Sequence, residues 1–412
     1  MFLPGMAWKN LSRYRKRTII TASAIAFGLA TYIFMDGWLK GAEVESERNL
    51  VLYETGSSRV LTREYWAEHE RMPLASAIED PEPVIAALRG AGIPAAPRTL
   101  FAGEAVVEEG SMPVRVIAID TERDEQVFSF RETVTEGRYL EAGEPGALIG
   151  AWLAQDLGLA VGDPLTVTTR TRSGFHQTLD LEVVGILTCP NPAINKGTLF
   201  MPLDTADALM EMEGAVTEID LKYRDYRTAE KMNATLAAGT LAAFPGLTVV
   251  SWKDLAADYL AISATKKGGS NVMLLLVFII AAVGVSNTML MTIYERTREL
   301  GMMRALGMRD RDIRRVFLLE AGGIGLIGSV AGVSLGCIAN WAMVRWGIDF
   351  SAFMDMSEMD IGYRISAVMH AAWNPPVIVV ALVAGVLACV VVAVFPVRRA
   401  LRLRITDCLR HT

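Results

Sequence analysis

No stretch of the 412 residues spells the G-x-x-x-x-G-K-S/T loop that cradles nucleotide phosphates, so the chain offers no ATP-hydrolysing site of its own. Histidine is scarce. His69, His176, His370 and His411 stand apart, without metal-ligand spacing and without a G-x-S-x-G or H-E-x-x-H segment nearby. No catalytic residue and no metal ligand can be nominated from them. Cysteine is short as well: of Cys189, Cys337, Cys389 and Cys408, only Cys189 falls in the long middle of the chain, which excludes a disulfide framework there. A domain of roughly 230 residues needs none, because at that size it buries an adequate core. Gly323, Gly325 and Gly328 do spell G-x-G-x-x-G. They lie inside a long apolar run with no preceding strand and no ribose-binding acid beyond, so a dinucleotide fold is excluded.

Charge is missing from four apolar runs, Thr18 to Met35, Val272 to Ile293, Phe317 to Val344 and Val377 to Val397, in a chain that is 52% hydrophobic with mean hydropathy +0.31. Each approaches the ~20 residues that a helix needs to cross a bilayer core. The exception is Glu320, expected to reach the interface or pair with Arg314 or Arg315. The first run is too long for a signal-peptide core and lacks a small-x-small cleavage site after it, so it reads as a retained helix. Basic residues set the orientation. Five lie in the N-terminal arm, seven arginines face four acids between Tyr294 and Arg315, and five arginines face one acid after Val397. All three regions are expected in the cytoplasm. Residues 37–268 hold 21 basic and 35 acidic groups, a net of 21 − 35 = −14, and are expected outside.

The predicted layout is a membrane protein with four transmembrane α-helices and a large α/β extracytoplasmic domain of two subdomains between helices 1 and 2. Its segments are a cytoplasmic amphipathic arm (1–17, with Trp8, Leu11 and Arg15 at helical spacing), a first span (18–38), the outer domain with its stalk helices (39–268) and a second span (269–293). A cytoplasmic loop (294–315), a third span (316–344), a short outer loop (345–374), a fourth span (375–397) and a cytoplasmic tail (398–412) follow. Leu39 to Leu52 and Lys253 to Thr265 read as stalk helices framing the domain. Inside it, helices are expected at Pro83 to Gly92, Ala151 to Leu157, Thr205 to Glu211 and Thr228 to Leu241. Strands are expected at Arg98 to Phe101, Glu104 to Glu108, Val114 to Ile119, Leu165 to Thr169, Leu179 to Leu187, Thr217 to Tyr223 and Leu247 to Trp252. The middle group is expected to be inserted into the outer one. Gly328, Gly332 and Gly336 recur every four residues, a smooth face on which another helix can approach closely.

The loop Tyr294 to Glu320, YERTRELGMMRALGMRDRDIRRVFLLE, is basic but also helical in period. Leu300, Met303 and Leu306 are expected to share one side, Glu295 and Arg298 to pair at i, i+3, and Gly307 to provide a left-handed stop. A short stiff helix between two spans suits a groove on a cytoplasmic partner.

ERTRELGMMRALG resembles the coupling-loop motif of FtsX/MacB-type ABC permeases, RDIRRVFLLEA the start of their third span, and AVFPVRRALRLRITDCLR their closing segment. GALIGAWLAQDLGLAVGDPLTV, LEVVGIL and TLFMPLDTADALM resemble segments of lipoprotein-releasing, LolC/LolE-like permeases. Met308, Arg309 and Asp310 depart from the small residue and hydroxyl often found there. The resemblance implies a permease dimer, identical or paired, in the bacterial inner membrane, with its large domain in the periplasm. It implies two ABC ATPase subunits holding ATP and Mg, no cofactor on this chain, no nucleic acid, and room for a periplasmic partner. The coupling residues it implies are Glu295, Arg296, Arg298, Glu299, Leu300, Gly301, Met302, Met303, Arg304, Ala305, Leu306 and Gly307. Its cargo would be lipoproteins or other lipidated molecules drawn from membrane lipid, with Leu39, Val44, Tyr259 and Ile262 as acyl-chain contacts. Drug or peptide efflux, or FtsX-like control of a cell-wall hydrolase, are the alternatives.

Overall fold

The computed structural model describes residues 15–107, 110–349 and 368–402, which divide into a unit within residues 45–261 and a helical unit made of the rest. Each is taken by itself. The first long helix, α1 (Arg15–Leu50), contributes residues to both. The Trp8 and Leu11 arm and the tail beyond residue 402 lie outside the described residues.

The outer unit contains β1 (Ser58–Thr62), α2 (Pro81–Gly90), β2 (Ala95–Val107), β3 (Gly110–Ile119), β4 (Val134–Gly137), β5 (Gly146–Gly150) and α3 (Ala151–Leu157). It continues with β6 (Pro164–Arg170), β7 (His176–Leu187), β8 (Thr198–Pro202), α4 (Leu203–Met210), β9 (Glu218–Leu221), α5 (Ala229–Ala238) and β10 (Leu247–Ser251). The strands form one sheet in the order β10-β1-β9-β2-β3-β8-β5-β7-β4. Strand β6 pairs with β7 along its length and with β2 through Glu104↔Thr168 and Ala105↔Val167. Six strands, β2, β3, β8, β5, β7 and β6, therefore close a circuit, and the alternation of their side chains decides what fills it. Val114, Val116 and Ala118 of β3, Leu165 and Val167 of β6, and Leu179, Leu181 and Val183 of β7 form one core. The intervening Ile117, Ile119, Leu148 and Phe200 belong to a second core capped by Phe128 and Phe130. A third core lies among β1, β9, α2 and α5, including Val60, Ile85, Leu88, Ile219 and Leu236.

The expected pair of subdomains thus shares a continuous sheet. Strand β2 joins them: Ala95 to Arg98 pair with β9, while Arg98 to Val107 pair with β3. Two short strands had been expected where this one 13-residue strand runs. Helix α2 starts at Pro81, two residues earlier than expected, because proline at the first helical position gives up no needed N–H and its φ suits the turn. Strands β5 and β8 escape period-two reading because GALIG and TLFMP are buried at every position.

The helical unit holds the first part of α1, then α6 (Ala257–Glu295) from Ile262 onward, α7 (Thr297–Ala305), α8 (Asp310–Trp346) and α9 (Pro375–Leu401), with a two-residue pairing of Ile348–Asp349 and Val368–Met369. Thr18–Thr55, Asp310–Trp346 and Pro375–Leu401 are long and apolar enough to cross a membrane. The third span had been expected to begin at residue 316; its helix begins six residues earlier, at Asp310, where two acids in the first turn favour the helix dipole. Small residues set the packing. A side-chain carbon at Gly328 would lie 2.9 Å from the carbonyl oxygen of Ala22, one at Gly332 2.7 Å from that of Ala26, and one at Gly336 3.1 Å from Cα of Ala30. On another side of α8, Gly325 faces α9, where the same carbon would meet Cβ of Cys389 at 2.8 Å. Such approach brings backbone against backbone, the contact that holds helices together where lipid competes equally for apolar side chains.

Candidate functional site

The segment between α6 and α8 is built from its termini inward. At Arg296 (φ −110°, ψ 16°) the helix breaks. Carbonyls freed at the break find donors: the Arg296 N–H donates to Thr292 O and Ile293 O at 3.2 Å, and the Thr297 hydroxyl donates to Ile293 O at 3.0 Å and Tyr294 O at 2.9 Å. At the other end Gly307 has φ 88°. Its N–H donates to Arg304 O at 3.1 Å and that of Met308 to Met303 O at 3.0 Å, the paired bonds of a Schellman stop. Met308, which departs from the family pattern, supplies the hydrophobic contact that accompanies such a stop: it and Met303 pack on one cluster. The Arg304–Asp310 pair at 3.1 Å braces the turn.

One side of α7 is seated. Leu300 is buried with Ile293 of α6, Ile313 and Phe317 of α8, and Val397 and Ala400 of α9; Thr297 and Gly301 are buried too, and Met303 half-buried. The other side is open. Arg298, Met302, Ala305 and Leu306 are exposed, continuing from Tyr294 and Glu295 on α6, and Leu306 is 88% exposed. Leu306 had been expected beside Leu300 and Met303; six residues from Leu300 is 600°, or 240° around a helix, so it emerges on the open side. The ion pairs also differ from expectation. The i, i+3 pair is Arg296–Glu299 at 2.8 Å, one residue along from Glu295–Arg298. Glu320 reaches Arg296 at 3.5 Å, whereas Arg314 and Arg315 are exposed. Five- and six-residue separations put those arginines on a different side of α8 from Glu320.

Of the expected acyl-chain contacts, Leu39 and Val44 are half-buried, Tyr259 packs against the core of β1, β9, α2 and α5, and Ile262 is 55% exposed.

Sequence reading missed a charged centre in the outer unit. Arg59 Nε lies 2.7 Å from Asp220 and its Nη1 2.7 Å from Glu218; Arg98 Nε lies 2.7 Å from Asp124 and 3.8 Å from Asp220. The Arg98 guanidinium stacks 3.4 Å over the Phe128 ring. Register places them together, since Asp220 stands opposite Arg59 on β1, and Glu218 opposite Arg98 on β2. Three carboxyls meet two guanidiniums, all of them buried except Arg59, which is 11% exposed. Burial pushes Glu218 up to about 8 against the pull of Arg59, and pushes Asp124 up against that of Arg98. The signal was available in T-E-I-D-L, two acids at i, i+2 sharing one side of a strand.

Two family models match the chain: the FtsX-like permease C-terminal model over residues 271–405 and the MacB-like periplasmic core domain model over residues 18–238. Among curated relatives, the "Lipoprotein-releasing system transmembrane protein LolC" of Xylella fastidiosa is 25% identical over 279 residues, 66% of each chain. An ABC transporter permease of Methanocaldococcus jannaschii is 26% identical over 287 residues, 67% of this chain and 65% of that one. The "Pyoverdine export ATP-binding/permease protein PvdT" of Pseudomonas fluorescens is 34% identical over 125 residues, 30% of this chain and 16% of the relative. The match thus spans slightly less than two thirds of the LolC and archaeal relatives' own length.

Proposed function

The chain belongs to the FtsX/MacB superfamily of ABC transporter permeases, and on that premise we propose that it converts ATP-driven motion of separate ATPase subunits into movement of its periplasmic domain. In this reading the work is extraction or export of lipoproteins or other lipidated cargo from the inner membrane. The chain crosses the membrane four times with both termini in the cytoplasm, pairs with a second permease subunit, and leaves ATP and Mg to its partners. The observation that carries the reading is the two-sided α7. Its Leu300 side is seated on three helices while Arg298, Met302 and Leu306 face outward from a helix with a Schellman stop at its end, as a docking element requires. Cargo class rests on the LolC relatives. Efflux of a soluble molecule is the second reading, supported by the pyoverdine exporter's 34% identity over 125 residues.

The test is purification of the complex from native membranes in mild detergent, with mass spectrometry of the proteins and lipidated peptides retained. Leu306→Asp should release the ATPase while the chain stays in the membrane, because it places a charge on the most exposed apolar residue of the open side. Gly307→Pro should uncouple hydrolysis from cargo, since proline can adopt neither φ 88° nor the bond to Arg304. An unchanged ATPase complement and cargo-stimulated hydrolysis in both variants would refute the docking assignment. Lipoproteins in the wild-type complex support extraction; their absence beside a bound soluble export substrate supports efflux.

A further inference from the structure

Arg296 sits at the break between α6 and α7, is 7% exposed at its side chain, and makes two ion pairs in different directions. Nε holds Glu299 on α7 at 2.8 Å, and Nη1 reaches Glu320 of α8, 5% exposed, at 3.5 Å. The guanidinium also lies 6.0 Å from the ring centre of Phe317, one turn before Glu320 on α8. The same side of α7 contributes Leu300 to a cluster with Ile313 and Phe317 of α8 and Val397 and Ala400 of α9. Apolar packing alone would hold α7 down but let it roll about its own axis, because such contacts are non-directional. The Arg296–Glu320 pair adds an attraction at one point off the helix axis, and Arg296 is itself tied to α7 by the hydrogen bond it donates to Glu299 at 2.8 Å. Separating Arg296 from Glu320 weakens that attraction where both side chains are largely shielded from solvent, so the pair resists slippage.

We propose that Arg296 and Glu320 form a clamp that fixes the rotation of α7 on α8, making them one rigid body, so that a push on α7 is delivered to α8 and its packed neighbour α9 in addition to the continuous helix α6. Arg296 is a positioning residue here: it faces inward and sets where Arg298, Met302 and Leu306 point. This deepens the docking reading above and rests on it.

The test uses the full chain co-expressed with its ATPase and reads three quantities: chain in the membrane, ATPase retained, and the turnover number of ATP hydrolysis by the complex in lipid relative to the ATPase alone. Glu320→Gln and Arg296→Gln, which keep shape but remove one charge each, are expected to retain the ATPase while lowering this permease-dependent change in turnover by about fivefold or more. The double variant R296Q/E320Q is expected to cost no more than the worse single one, because the two charges act as a unit. Additive losses in the double variant, or unchanged coupling in the single ones, would overturn the clamp. Leu306→Asp separates this from failure of the docking reading. If it leaves the ATPase bound and coupled, the reading itself fails; if it releases the ATPase while Glu320→Gln couples normally, only the clamp fails.

Discussion

The outer unit and the helical unit solve the problem of buried polarity in opposite ways. The outer unit encloses five ionisable side chains, Arg59, Arg98, Asp124, Glu218 and Asp220, beside aromatic rings in the middle of its sheet. The helical unit relies on missing side chains, at Gly328, Gly332 and Gly336, and its described inward charge pair is Arg296–Glu320 near the end of a helix. The difference follows from solvent. A domain folding in water gains about 25 cal/mol for each Å² of apolar surface buried, a surplus against which a desolvated ionic centre can be set. Helices already in lipid gain almost nothing from apolar burial and depend on how closely their backbones approach.

The contrast can be broken most severely at Arg98. Arg98→Met fills the volume but leaves Asp124 without its guanidinium and Asp220 with Arg59 alone, and should destabilise the outer unit by about 3–5 kcal/mol. Hydrogen exchange at β2 and β9 in the full chain would read this as a collapse of protection there, while α8 keeps its own. Next is Gly332→Leu, where the new side chain meets Ala26 backbone that has no rotamer to change. A cost of about 1–3 kcal/mol is expected, seen as earlier thermal unfolding in detergent with outer-unit protection intact. The mildest is Glu218→Gln. Glu218 binds its proton more tightly folded, at about 8, than the ordinary 4.5 of the unfolded chain. The folded state therefore carries the extra proton between those values; the contribution is complete below the lower one and is lost as pH rises to the upper one. Outer-unit stability should decline with pH across that window, and the amide variant should flatten this slope without touching the helical unit.

What could be read in advance divides along the same line. Long apolar runs and the i, i+4 glycines depend on local spacing; three of the four expected runs lie in described helices long and apolar enough to cross a membrane, and the left-handed stop falls at Gly307. The Leu300 side of α7 follows local spacing too. The Arg296–Glu320 contact was out of reach because it joins residues 24 apart on two helices, and spacing within one helix pointed instead to Arg314 and Arg315. Leu306 is apolar like Leu300 and Met303, but its 240° offset from Leu300 takes it off their side. In the outer unit, β5 and β8 have no alternation to detect, and the ionic centre depends on strand register between Arg59, Arg98 and Glu218, which local sequence does not contain.

Strand order also has a consequence in time. Strand β1 pairs with β9 and β10, at opposite ends of the outer unit's sequence, and it ends at Thr62 while β9 begins at Glu218. A ribosome adding about 5–20 residues per second leaves β1 without a partner for roughly 10–30 seconds, while the closed circuit of six strands emerges first. The earliest strand made is thus among the last to be paired. Any factor that shields newly made chains would find its target in the segment carrying Arg59, and the unit's ionic centre, completed by β1 and β9, marks the end of assembly.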